Sequence, residues 1–173
     1  MEINGGPDES VRVLSEKAAM PLPDIIAEGA IIPALRATSK KHLLQELAAR
    51  AAALTGRPAQ DIFDTLSERE TLGSTGAGSG IAIPHGKLPK LERVFGLFAR
   101  LERPVDFDAI DGQPVDLVFT LLAPEGAGAD HLKALSRIAR LTRDPGNVQK
   151  LRNARDEATL RALLASPPET HAA

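Results

Sequence analysis

TLGSTGAGSGIAIPHGK, residues 71–87, sets Gly73, Gly76, Gly78 and Gly80 ahead of a short apolar run, Ile81-Ala82-Ile83, and then a proline, a histidine and a further glycine. Glycine-rich loops of this kind bring backbone N–H groups close to a phosphate. The familiar versions nevertheless fail here. A Walker loop requires lysine where Ser79 stands, and Lys87 comes too late. The dinucleotide fingerprint lacks its third glycine after both Gly76-x-Gly78 and Gly78-x-Gly80. Neither Ser74 nor Ser79 has glycine two residues away on both sides, as a serine hydrolase elbow needs. What remains is a loop of free N–H groups, an anion nest, beside an imidazole. Pro84 fixes φ and removes a competing donor, which holds His85 at a strand end; Gly86 is expected to let the chain turn away without covering the ring. Imidazole is a good nucleophile and is substantially unprotonated near neutral pH, so His85 in such a loop can accept a phosphoryl group and pass it on.

Upstream, a short helical turn is expected within PLPDIIAEG and a strand at AIIPAL, residues 30–35. Ser39 reads as the N-cap of a long helix carrying Leu43, Leu44, Leu47, Ala48 and Ala51 at helical spacing, with Gly56 as its stop. A second helix is expected from Pro58 to about Glu70, with Ile62, Phe63 and Leu66 on its inner face, and IAIP reads as a short strand. Downstream, VFGLFARL (94–101) and VDLVFTLLAP (115–124) read as strands that pair antiparallel across the Asp111-Gly112 turn. From Asp130 the pattern is helical through His131, Leu132, Leu135, Ile138, Ala139 and Leu141, ending at Asp144-Pro145-Gly146, and two shorter helices cover NVQKLRN and DEATLRALLAS. Strands interspersed with helices predict a single α/β domain, a mixed β-sheet sandwiched between helices, over residues 21–166. Residues 1–20 read as a flexible N-terminal extension, or as sequence upstream of a natural start at Met20, and residues 167–173 as a flexible tail.

Composition narrows the function classes. With 43% apolar and 25% charged residues the chain is an ordinary globular one, and without cysteine it has neither disulfides nor thiolate chemistry. Basic and acidic residues, 21 against 23, leave a net charge of -2, which gives no general pull toward nucleic acid or anionic membrane. Aromatic residues are 3% and all phenylalanine, so platforms for stacking bases are few. No apolar run is long enough to span a bilayer and no signal peptide is evident, so a cytoplasmic location is expected. No cofactor motif is present.

LSERETLGSTGAGSGIAIPHGKL (66–88) closely resembles the signature of enzyme IIA domains of the phosphoenolpyruvate-dependent phosphotransferase system, in the fructose/mannitol class and its nitrogen-regulatory branch. The resemblance continues through FDAIDGQPVDLVFTLLAP (107–124) and HLKALSRIARL (131–141), and so covers nearly the whole chain from Leu22 to about Leu164. It implies the mannitol-type enzyme IIA fold. It also implies that the histidine of the PHG motif, here His85, is phosphorylated on Nε2 with Nδ1 held by an acceptor. The family's second active-site histidine matches His131, and the arginine of its RE motif matches Arg69. The usual G-N-G before the IAIPHG core is Gly78-Ser79-Gly80 in this chain, which puts the loop's detailed geometry in doubt.

Elementary chemistry is consistent with those roles. His131 falls on the first turn of its helix, where unpaired N–H groups and the macrodipole favour an anion. Arg69 offers a planar, permanently charged fork suited to phosphate, and this role is favoured over simple pairing with Glu68, Glu70 or another surface acid. Gly73, Ser74, Thr75, Gly78, Ser79, Gly80 and Gly86 make up the expected phosphate-binding loop; whether Ser74 and Thr75 bond the phosphate or only shape the turn is open. Lys87 reads as a solvated rim charge that assists docking, and His42 and His171 receive no role. The resemblance implies an HPr-like phosphoryl donor (NPr in the nitrogen branch) and regulatory targets such as sensor kinases or potassium transporters. A sugar-specific enzyme IIA serving a IIB component, or a non-catalytic binding module on the same fold, are the alternatives. A metal site on His85 and His131 is the weakest reading, because no further His, Asp or Glu stands at ligand spacing.

Overall fold

The computed structural model describes residues 22–165; the extension expected over 1–20, the tail expected over 167–173 and His171 lie outside the described residues. In chain order the elements are α1 (Leu22–Ile25), β1 (Ile31–Leu35), α2 (Lys40–Thr55), α3 (Ala59–Thr71), β2 (Gly76–Gly78), β3 (Ile81–Ala82), β4 (His85–Lys87), β5 (Phe95–Val105), β6 (Val115–Ala123), α4 (Gly128–Arg143), α5 (Pro145–Asn153) and α6 (Glu157–Ala165).

The helices start and stop where local chemistry directs. The Ser39 hydroxyl accepts the His42 N–H at the head of α2, and Gly56 closes that helix in the left-handed conformation. The stripe Leu43, Leu44, Leu47, Ala48 and Ala51 is buried, as its periodicity predicts. Asp144 ends α4 and caps α5 by accepting the Gly146 N–H, and Pro145 sits in the first turn of α5, where its missing donor costs nothing.

The strands form one mixed sheet in the order β1-β5-β6-β3-β2, with β4 also paired to β6. β5 and β6 are antiparallel, as expected, whereas β1 runs parallel to β5, and β3 and β4 both run parallel to β6. β6 is thus the central strand, and all but one of its residues are buried. Phe98 and Phe119 stand directly opposite across β5 and β6 with ring centroids 4.9 Å apart, a cross-strand aromatic pair at the middle of the core. Helices cover the sheet: α2 and α3 pack on each other and reach β5 and β4, while α4 lies on β6 and α6 on β1. A strand covered on both faces reads as an apolar run rather than an alternation, which is the pattern of FGLFA and LVFTLLA.

Four boundaries differ from those expected. The glycine-rich stretch contains three short strands rather than one, because its backbone pairs with itself (β2 with β3) and with β6. β5 runs on to Val105 past a register break after Arg100, which lets Pro104 sit in the strand without a ladder bond. α4 begins at Gly128, so His131 is its fourth residue and its N–H already bonds the Ala127 carbonyl. α5 begins at Pro145 rather than Asn147.

Candidate functional site

His85 opens β4 and pairs in register with Leu121 of β6. Its Nδ1 lies 2.7 Å from the Ile83 carbonyl oxygen. A carbonyl can only accept, so Nδ1 carries the proton and Nε2 presents its lone pair. His131 meets it edge-on, with ring centroids 5.4 Å apart and planes at 68°. The His131 ring is buried, and its Nε2 has no hydrogen-bond partner among the described residues. A buried, unsatisfied polar atom is costly and calls for a missing partner.

Two further features make this corner favourable to an anion. α4 is a 16-residue helix whose N-cap, Ala127, offers no side-chain hydrogen bond, in contrast to Ser39 and Asp144 at α2 and α5. Lys87, two residues after His85, places its ammonium beside the first residue of α4, 4.0 Å from where a β-carbon on Gly128 would stand. Lys87 enters no ion pair among the described residues. Lys87 is exposed, as a rim charge would be, and also lies close enough to act on His131. Burial first, then the fields of His85 and Lys87, holds the His131 ring below its ordinary value, so the ring is neutral. The His85 and His131 rings, the Lys87 ammonium and the start of α4 lie close together, and no ion pair among the described residues neutralises Lys87. An electrophilic dianion is what such a corner can hold.

This arrangement carries a pH signature. Because the fold lowers the His131 value, the unfolded chain takes up a proton that the native ring resists. The stabilisation is complete above the ordinary value of 6.5 and is lost as pH falls through 6.5 toward the lowered native value. The urea midpoint is expected to fall between about pH 7.5 and about pH 5.5, and the slope is expected to flatten in His131→Asn, as measured by equilibrium unfolding at each pH.

The expected loop residues divide into two groups. Thr75 pairs with Ile83, whose N–H donates to the Thr75 carbonyl at 3.0 Å, so Gly73, Ser74 and Thr75 stand across the hairpin from His85. Gly78, Ser79 and Gly80 do not. Ile81 and His85 face Leu117 and Leu121 of β6, a separation along the strand of about 13 Å, and Gly80 lies beyond Ile81. Ser79 (φ 57) and Gly80 (φ 79) are the left-handed corner of the β2–β3 hairpin. The Ser79 N–H donates to Asp111, and Arg152 clamps the turn by donating to the Ser79 carbonyl and to Asp116. These three residues shape a remote turn, because hairpin pairing carries the middle of the stretch away from the histidine.

Ser74 and Thr75 are also committed to structure. The Ser74 hydroxyl donates to the Phe107 carbonyl and accepts the Gly76 N–H, while the Thr75 hydroxyl donates to Glu70. Arg69, on the last turn of α3, donates to the Gly73 carbonyl at 2.8 Å and makes no hydrogen bond to either histidine among the described residues. Gly86 is not a turn: it pairs with Leu122 inside β4, and a β-carbon there would stand 2.4 Å from the Thr65 methyl on α3. Gly86→Ala is therefore expected to lower stability by about 1–3 kcal/mol through overpacking, read as a shift in the denaturation midpoint.

The sequence reading passed over Glu70. Its buried carboxylate accepts the Thr75 N–H at 3.0 Å and the Thr75 hydroxyl, and pairs with Lys40 at 3.0 Å. The signal was present: Ile62, Leu66 and Glu70 follow one another at four-residue spacing, so an acid continues the apolar stripe of α3. Among the described residues no helix is long and apolar enough to cross a membrane, and no group of three or more potential metal ligands gathers.

The family model for the phosphoenolpyruvate-dependent sugar phosphotransferase system, EIIA 2, matches residues 24–166. A nitrogen regulatory protein of Bradyrhizobium diazoefficiens is 63% identical over 88% of this chain and 100% of its own length. The nitrogen regulatory protein of Escherichia coli is 42% identical over 76% of this chain and 82% of its length. Nitrogen regulatory protein IIA-Ntr from Neisseria meningitidis superimposes with a TM-score of 0.79 at 36% identity, covering 83% of this chain and 98% of that one. IIA mannitol from Escherichia coli, at 18% identity and a TM-score of 0.68 over 80% of this chain and 98% of that one, shares the fold.

Proposed function

The chain belongs to the EIIA 2 family of the phosphoenolpyruvate-dependent sugar phosphotransferase system, and from that membership we propose that it is a phosphocarrier of the nitrogen-regulatory branch whose acceptor is Nε2 of His85. The observation that carries the proposal is the hydrogen bond from His85 Nδ1 to the Ile83 carbonyl, which fixes the tautomer and leaves Nε2 basic. The Nε2 lone pair forms a bond to phosphorus, and the bond from phosphorus to the donor breaks with its electron pair returning to the donor. The proton stays on Nδ1, donated to the Ile83 carbonyl, throughout.

His131 and Lys87 are assigned the charge that develops on the three peripheral oxygens. His131 Nε2, buried without a partner, gains one when it carries the proton toward a phosphoryl oxygen, and the dianion opposes the effects that lower its value. Arg69 acts through Gly73, as a positioning residue for the head of the loop. The donor is an HPr-like protein, NPr in the nitrogen branch, and the output is control of targets such as sensor kinases or potassium transporters according to phosphorylation state. The names of the similar proteins favour this branch over sugar uptake.

Intact-mass analysis after incubation with phosphoenolpyruvate, enzyme I and an HPr-like donor tests the reading. One acid-labile phosphoryl adduct per chain is expected, and His131→Ala is expected to form the same adduct about 100-fold more slowly, the scale of removing one preorganised donor. No adduct from a cognate donor would leave a binding module on the same fold. Subsequent transfer to a IIB domain would favour the sugar-specific alternative.

A further inference from the structure

We propose that the solvent face of α4 docks an acidic protein surface. The charge of the chain is unevenly placed: the total is -2, yet residues 131–155 hold seven lysines and arginines against one acid, Asp144. Arg152 is spent on Asp116. On α4 the cations Lys133, Arg137 and Arg140 recur at spacings of four and three, which sets them on one stripe of the helix. Arg143 lies beside that stripe, one turn after Arg140. Arg140 and Arg143 are exposed and enter no ion pair among the described residues. Arg140 and Arg143, three residues apart, are like charges at a spacing that weakens a helix.

A cationic stripe alone would suit nucleic acid or an anionic membrane as well as a protein. Two observations favour a protein. Leu132 is 65% exposed in the first part of α4, an apolar anchor next to Lys133. None of the five phenylalanines is among the exposed large apolar residues, so no stacking platform for bases accompanies the charge. A single leucine is also far less than the apolar face by which an interfacial helix enters a bilayer. An acidic segment with an interspersed apolar residue fits both the charge and Leu132.

α4 begins at the histidine corner, so phosphorylation would place about two negative charges at one end of this face. Phosphorylation is therefore expected to weaken docking. That clause rests on His85 being the acceptor, whereas docking by the unphosphorylated chain does not.

The test uses the full chain and a fluorescein-labelled peptide repeating Glu-Leu-Glu-Glu, followed by anisotropy at low salt. Binding is expected, with affinity falling about tenfold or more in Arg140→Glu/Arg143→Glu and several-fold in Leu132→Ala. These positions are exposed, so thermal unfolding should match wild type, and Arg140→Gln/Arg143→Gln provides a milder check on any folding defect. Wild-type affinity in the charge-reversed variant would overturn the proposal. Tighter binding of duplex DNA or of phosphatidylglycerol vesicles than of the peptide would overturn it in favour of those partners. The phosphorylated chain is expected to bind the peptide about two- to fivefold more weakly, screening limiting the effect along the helix. Equal affinity in a verified phosphoprotein would overturn the regulatory clause while leaving the docking result, and a failure to phosphorylate would instead count against the reading of His85.

Discussion

His85→Ala is expected to abolish phosphoryl uptake completely while leaving the protein folded. The ring stands at the start of β4, half-buried, and its one hydrogen bond among the described residues runs to the Ile83 carbonyl. Losing that bond should cost about 1 kcal/mol, well inside the margin of a domain of this size. The chemical loss is total, because His131, the other imidazole at this corner, is buried with its proton affinity lowered and does not replace it. Circular dichroism and urea unfolding would establish the fold, and labelling from phosphoenolpyruvate the loss. A folded variant that still takes up phosphate would move the acceptor elsewhere.

The second large effect is expected at Glu70, which never touches phosphate. A continuous chain of bonds leads from it to the nucleophile. The Glu70 carboxylate holds the Thr75 N–H and hydroxyl, the Thr75 carbonyl holds the Ile83 N–H, and the Ile83 carbonyl holds His85 Nδ1. Lys40 closes the far end, pairing with Glu70 and standing 4.6 Å from the centre of the Phe107 ring. Glu70→Ala would leave a half-buried ammonium and a buried Thr75 amide without their acceptor. The expected cost is about 3 kcal/mol, the low end for breaking a buried pair because Lys40 retains some contact with water and with Asp108. Phosphoryl transfer should slow about 10- to 100-fold, since the carbonyl that orients the ring is freed to move. Glu70→Gln keeps an acceptor for Thr75 and should fall between the two. Single-turnover transfer beside urea unfolding separates the effects; full transfer rate in Glu70→Ala would show that the carbonyl is held by other means.

Much of this corner was legible in the chain. Pro84-His85-Gly86, the placement of His131 near a helix start, the Ser39 and Gly56 caps and the β5–β6 pair all follow from rules that act over a few residues. The glycine stretch was harder, because glycine permits many conformations and the one adopted is fixed by distant partners. Asp111, Asp116 and Arg152 pull Ser79 and Gly80 into a hairpin turn, and no local rule shows that pull. Gly86 looked like a turn and is instead the place where Thr65 of α3 rests on β4, a contact set by helix packing. Glu70 was visible as an acid at a core spacing, yet its meaning depended on a hairpin that brings Thr75 to it. The lowered proton affinity of His131 likewise required knowing that its ring is buried, with His85 and Lys87 near it.

The most direct test of the central claim is a long-range proton–nitrogen correlation spectrum of the histidine rings, recorded before and after phosphorylation on uniformly nitrogen-15-labelled protein. Before phosphorylation, His85 should show the tautomer with its proton on Nδ1. Afterwards, one ring only should carry phosphorus coupling, that of His85, and at Nε2. A resting tautomer protonated on Nε2, or phosphorus coupled to Nδ1 or to His131, would contradict the account.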